Sequence, residues 1–156
     1  MINIKNLVRM KATLQSLFKR DLEKLKTEIE LYSKEEHLWI TDRSITNSAG
    51  NLCLHLIGNL NAFIGAGLAK TDYVRDREFE FAGKDVPRTS LLQQIDETMV
   101  VVEKGIDSLT DEALSGDFPI QIWGKPIGME FTLVHLATHL SYHLGQINYH
   151  RRLLDN

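Results

Sequence analysis

A single cysteine, Cys53, stands among 156 residues, so no disulfide can form within the chain and stability must come from a packed core. A lone thiol in an apolar helical stretch reads as a small core residue, and its isolation favours a cytoplasmic setting. Excess charge is missing as well. The 18 Lys and Arg against 21 Asp and Glu leave a formal net charge of −3, and no basic stripe is dense enough to neutralise a row of phosphates. Nucleic acid is therefore not an expected partner. Long apolar runs are absent: the most hydrophobic segment, residues 52–69, is interrupted by His55, Asn59 and Asn61, short of the roughly 18 consecutive apolar residues of a span. No membrane is expected. The opening residues MINIKNLVRMKATLQSLFKR are charged and lack the uninterrupted apolar centre of a secretory signal.

What is present fits an ordinary globular chain, with 43% hydrophobic and 25% charged residues. The length suits one domain, 1–156, able to bury roughly 68–70% of its unfolded surface. Leu14, Phe18, Leu22, Leu25, Ile29 and Tyr32 recur at spacings of four and three, which predicts a helix over about 4–33. Asn47 or Ser48 offers an N-cap for a second helix over about 48–69. Its Gly58, Gly65 and Gly67, with Ala62 and Ala66, weaken intrinsic propensity and call for a packing reason, the close approach of a neighbouring helix. Thr71 to Pro87 lacks helical periodicity and reads as a long, functional connection. Ser90 and Gln93 can form a capping box for a third helix over about 89–109. A short turn at TDEALSG and an extended excursion or hairpin at FPIQIWGKPIG precede a fourth helix over about 129–154. The expectation is an all-α, antiparallel four-helix bundle, with connections 34–47 and 110–128 long enough to allow crossovers.

Histidine is distributed unevenly. Positions 135, 139, 143 and 150 all fall in the fourth helix, and neighbours four apart differ by only about 40° around a helix axis. His135, His139, His143, Gln146 and His150 thus form one polar stripe beside the buried face. Two imidazoles at i and i+4 can chelate one ion from one face, the geometry of the HExxH zinc motif. His139 with His143 satisfies this, and so does His135 with His139. His55, in the apolar stretch NLCLHLIGN of the second helix, is a candidate third ligand. His150 lies about 16 Å along the axis from His139 at 1.5 Å per residue, too far to share an ion. His37, in a polar connector, is expected to be solvated.

The segments THLSYHLGQINYHRRLL and NLCLHLIGNLNAFIGAGL resemble the last and second helices of the DinB-like superfamily, whose last helix carries HxxxH followed by R-G-Q. YVRDREFEF is similar to a subgroup of uncharacterised members. The resemblance spans nearly the whole chain and implies a four-helix bundle with one divalent metal ion, zinc or nickel, held by His55, His139 and His143. Leu144 stands where many relatives have arginine, so any substrate role of that arginine does not transfer. The resemblance further implies a thiol-dependent transferase that takes a low-molecular-weight thiol and a small-molecule substrate. A metal-dependent hydrolase and a non-catalytic, stress-associated metal protein remain alternatives. Trp39, Tyr73, Arg75, Arg77, Trp123 and Tyr142 are candidate substrate contacts. Glu130 is the nearest carboxylate before His139 on the fourth helix, and no general base is evident. A homodimer is allowed by the sequence but not required by it.

Overall fold

The apolar stripe of the first segment is buried along its whole length: Leu14, Phe18, Leu22, Leu25 and Ile29 line one face of α1 (Ile4–Glu30), with Tyr32 just past its end. The computed structural model describes residues 4–156, with side chains from residue 8 onward. A short 3-10 turn, Glu35–Trp39, follows. The Ser48 hydroxyl accepts from Asn51 N at 3.2 Å and caps α2 (Ala49–Leu60). The chain then continues without a break into a π-helical segment, Asn61–Ala69. It ends at Lys70, whose left-handed φ of 57° turns the backbone away while its ammonium donates to the Gly67 carbonyl at 2.7 Å. After these come α3 (Arg77–Ala82), α4 (Arg88–Asp107), α5 (Asp111–Ser115) and α6 (Met129–Leu154).

All four long helices match the periodicity, within the fraying expected at helix ends. The differences lie between them. Residues 71–87 are not wholly irregular: α3 forms there because the Asp76 carboxylate accepts from Phe79 N at 2.9 Å and caps one short helical turn. The proposed capping box does not form, since α4 starts at Arg88 behind Pro87 and leaves Ser90 inside the helix. Proline fixes the backbone there without needing a side-chain cap. The TDEALSG turn is α5, capped by Thr110. The FPIQIWGKPIG excursion closes through Phe118 N donating to the Ile127 carbonyl at 2.8 Å.

Neighbouring helices are not all antiparallel, contrary to the expectation. In the bundle α1 touches α4 and α6, and α2 touches the same two, so α1 lies diagonally opposite α2. Lys26 of α1 meets Asp96 of α4 at 2.7 Å and Lys11 meets the Asp107 carbonyl at 2.7 Å, which makes that pair antiparallel. Arg151 of α6, however, meets Glu28 of α1 at 2.8 Å, end beside end, so those two run parallel. Asn61 meets Thr98 at 2.8 Å, and Ile64 sits against Gly105, which makes α2 and α4 parallel too. Connections 31–48 and 108–128 cross the bundle diagonally at its two ends. The connection from α2 to α4 has to travel back the full length of α2. This return path carries α3.

A Cβ on Gly105 would meet the Ile64 side chain and lie 3.1 Å from its carbonyl oxygen. The close approach between α4 and the π-helical segment is thus made possible from the α4 side. Ala49–Ala69 is the one helix among the described residues long and apolar enough to cross a membrane, and 78% of its most apolar window is buried inside the fold.

Candidate metal centre

His55 sits midway along α2, and His139 and His143 sit one turn apart on the antiparallel neighbour α6. His55 Nε2 lies 3.2 Å from His139 Nε2, and His143 Nε2 lies 3.1 Å from the same atom. A tetrahedral ion with metal–nitrogen bonds of about 2.0–2.1 Å requires ligand nitrogens roughly 3.3 Å apart, so the observed spacing fits one shared ion with little movement. His55 is buried, while His139 and His143 are half-buried at the edge of the bundle. One ligand atom from each lies within 4.8 Å of the other two. His135 stays outside this cluster, its ring 6.0 Å from that of His139.

The partners of the other ring nitrogens decide which tautomer each imidazole adopts. His55 Nδ1 lies 2.9 Å from Glu80 Oε2, and an ionised carboxylate can only accept, so Nδ1 carries a proton and in the neutral ring the lone pair is on Nε2. His143 Nδ1 donates in the same way to Gln146 Oε1 at 2.6 Å. Such outer partners fix ring orientation and raise ligand basicity. His139 Nδ1 is buried and has no partner among the described residues.

Glu80 is itself held in place. Arg75 grips it with two hydrogen bonds, Nε to Oε1 at 2.7 Å and Nη2 to Oε2 at 2.8 Å. Arg75 Nη2 also comes within 3.3 Å of His55 Nδ1, but both atoms bear protons, so this is a shared approach to Oε2 and not a third bond. Burial pushes the Glu80 carboxyl up, and the hydrogen bonds from Arg75 and His55 outweigh it, leaving the pKa below the usual carboxylate range. Glu80 is ionised, and Arg75 balances its charge. Burial, then the neighbouring His143, His55, His135 and Arg75, push His139 down to about 4. His143 is also lowered, first by burial, against the opposing Gln146 bond. Both rings are thus neutral at pH 7, the form that can bind a metal.

Gly58 explains how the carboxylate reaches this position. A Cβ there would stand 2.7 Å from Glu80 Cδ and 3.2 Å from its Cγ. At Gly58 the close neighbour is the short helix α3, whose buried Glu80 side chain fills the space a Cβ would take. Asn51 fixes the same crossing by donating to the carbonyls of Glu80 at 3.1 Å and Gly83 at 2.8 Å.

Glu80 and Gln146 were absent from the sequence-derived candidates for the site. Glu80 lies in a stretch without periodicity, and its burial depends on the return path along α2. Gln146 was legible as part of the α6 stripe, three residues after His143. Of the candidate substrate contacts, Arg75 supports the site through Glu80, Tyr142 has its ring 5.3 Å from His143, and Trp123 reaches His135 at 4.7 Å. Arg77 stacks over Phe81 at 5.6 Å, and Phe81 lies 4.9 Å from His55. Tyr73 is exposed near Glu80, whose charge, after burial, raises the phenol pKa. Trp39 packs over the first turn of α2, where a Cβ on Gly50 would meet its ring at 2.6 Å.

Two further histidines, His150 and His37, are structural. His150 is buried; its Nε2 donates to the Ile40 carbonyl at 2.8 Å, and its Nδ1 accepts from the Tyr32 hydroxyl at 2.7 Å. His37 is not solvated: it pairs with Asp155 at 2.8 Å, its side chain only 11% exposed, because the chain end folds back onto the connector. Leu144 is buried in the core.

Residues 7–156 match the family described as Protein of unknown function (DUF1572). The chain belongs to that family. The DUF1572 chain is also similar over 99% of its length, and 98% of the other, to the crystal structure of the conserved protein of locus from Enterococcus faecalis, with a TM-score of 0.70 and 18% identity. At that identity the likeness speaks for the fold alone. None of the curated proteins compared with this chain matches it.

Proposed function

We propose that this DUF1572 protein is a DinB-like, divalent-metal-dependent enzyme of the thiol-dependent transferase type, with His55, His139 and His143 as the ligands. The observation that carries the metal assignment is the convergence of three Nε2 atoms at 3.1 and 3.2 Å, two of them with the proton held on Nδ1 by Glu80 and Gln146. Three neutral nitrogens leave a coordination position open, as catalytic zinc sites do. Imidazole donors suit zinc and nickel alike. Bound there, a divalent ion would supply the positive charge that turns a coordinated thiol into the nucleophilic thiolate at neutral pH.

The chain's own residues favour an anionic ligand. Imidazoles that bind a metal do so in the neutral form, and Glu80 is offset by Arg75, so the positive charge of the ion would be left uncompensated. A hydrolytic reading would draw on metal-activated water, and a free base beside the triad would assist it. Glu80, the carboxylate in contact with the triad, is ionised but has both oxygens engaged by Arg75 and His55. Buried and held by these bonds, it orients His55. This supports the thiol reading over hydrolysis. In a cytoplasmic setting, as the reading proposes, free thiols are kept reduced.

The test begins with metal analysis of protein purified without a histidine tag. One equivalent of metal is expected, lost in His55→Ala, His139→Ala and His143→Ala but kept in His37→Ala. Cobalt-substituted protein carrying Cys53→Ala, which removes the buried thiol of the chain, should then develop a sulfur-to-metal charge-transfer band when a low-molecular-weight thiol is added. Equal metal content in all variants would refute the ligand set. A cobalt protein that binds no thiol would leave hydrolysis or a non-catalytic metal site.

A further inference from the structure

Two of the ligand imidazoles have an exposed aromatic ring against them, and a third exposed ring reaches the cluster through His135; the three rings come from different parts of the chain. Phe81, on the return path, lies 4.9 Å from the His55 ring at 37°. Tyr142, on α6, lies 5.3 Å from His143 at 73°. On the His139 side the relay has two rings: His135 is 6.0 Å from His139, and Trp123, from the hairpin excursion, meets His135 edge-on at 4.7 Å. Phe131 backs Trp123 at 6.2 Å. The exposures are 38% for Phe81, 48% for Trp123 and 66% for Tyr142. Single exposed aromatics need no explanation, but a group of them around one polar cluster does.

The charged and amide groups next to the collar are already engaged. Glu80 and Arg75 are engaged with each other beneath Phe81, and Gln146 is engaged by His143. Arg77 lies over the Phe81 ring at 5.6 Å and so braces it by a cation–π contact. An aromatic body would bury apolar area against these rings and gain offset or edge-to-face ring contacts.

We infer that the metal centre selects a ligand with an anionic, metal-seeking head and an aromatic or comparably apolar body, and that Phe81, Trp123 and Tyr142 set this specificity. The inference rests on the metal-centre reading and deepens it.

The test uses two pairs of probes that differ in body and share a head: acetohydroxamate with benzohydroxamate, and 2-mercaptoethanol with benzyl mercaptan. Each is titrated into the cobalt-substituted Cys53→Ala protein and read from the metal's visible spectrum. Benzohydroxamate should bind at least tenfold more tightly than acetohydroxamate. That advantage should fall below threefold in the Trp123→Ala, Phe81→Leu double variant, while acetohydroxamate affinity stays within twofold and the circular dichroism melt shows the fold intact. Equal affinity within the pair, or an advantage that survives in the double variant, would overturn the inference. The thiol pair separates it from the proposed reaction. Sulfur bands of equal affinity with both thiols would sink the collar and keep the thiol reading. A benzohydroxamate preference without any sulfur band would keep the collar and sink the thiol reading. Failure to retain cobalt would remove both.

Discussion

Replacing Gly58 by alanine should destabilise this protein, although alanine in a helix interior ordinarily stabilises by up to about 1 kcal/mol over glycine. The new methyl group would stand 2.7 Å from Glu80 Cδ, against a carboxylate buried to 3% exposure. That side chain cannot move aside freely, because Arg75 holds both oxygens and His55 holds one. Displacing it breaks at least one hydrogen bond to a charged group, worth about 1.5–3 kcal/mol. Set against the propensity gain, the net loss comes to roughly 0.5–2 kcal/mol. Loss of the outer partner of His55 should also weaken metal binding by about 10- to 100-fold. Urea denaturation in chelator measures the first effect, and a competition titration with a coloured chelator measures the second. Gly145→Ala is an internal control for propensity: an added Cβ there meets nothing within 4 Å, so that variant should be unchanged or slightly stabilised. In a Glu80→Ala background the clash is gone, and Gly58→Ala should cost nothing, a coupling that a double-mutant cycle would expose. If Gly58→Ala behaves like Gly145→Ala in wild type, with metal affinity intact, the reasoning about the buried carboxylate is wrong.

The metal-free protein should lose stability as pH falls from about 6.5 toward 4. His139 is pushed down to about 4, and His143 and His150 are lowered as well, so over that window the unfolded chain binds protons that the folded one refuses. Midpoints of urea denaturation in chelator at pH 7.5, 6 and 5 check this, and a midpoint that is flat or rises with acid would contradict it. Tyr32→Phe leaves buried His150 Nδ1 without its donor and should cost about 1–3 kcal/mol; a stability within about 0.5 kcal/mol of wild type would mean that this bond is not made in solution. Gly105→Ala, whose Cβ would meet Ile64, should cost about 1–3 kcal/mol by overpacking, visible as a lowered thermal midpoint. A raised midpoint would show that α4 and the π-helical segment are not so close.

Helix positions and the candidate ligand pair on α6 were readable in the sequence because both depend on local periodicity. Apolar residues every three or four positions fix which face is buried whatever the neighbours are, and His139 and His143 share a face wherever that helix lies. His55 stood out as a polar interruption of an apolar helix, and the small residues of α2 announced a close contact without naming its partner. What only the tertiary structure decided is the relative direction of the helices and what this direction brings to the site. No local pattern encodes that α2 and α4 run parallel. Once they do, the chain between them must retrace α2, and this alone lays Glu80 over Gly58 and beside His55. The sequence of residues 71–87, without a helical or strand period, carries no sign of which carboxylate will be buried. The same holds for His37 and His150, whose partners Asp155, Tyr32 and Ile40 are distant in the chain. Local periodicity determined the elements and two of the three candidate ligands together. The return path determined the charge and hydrogen bonding that orient the third.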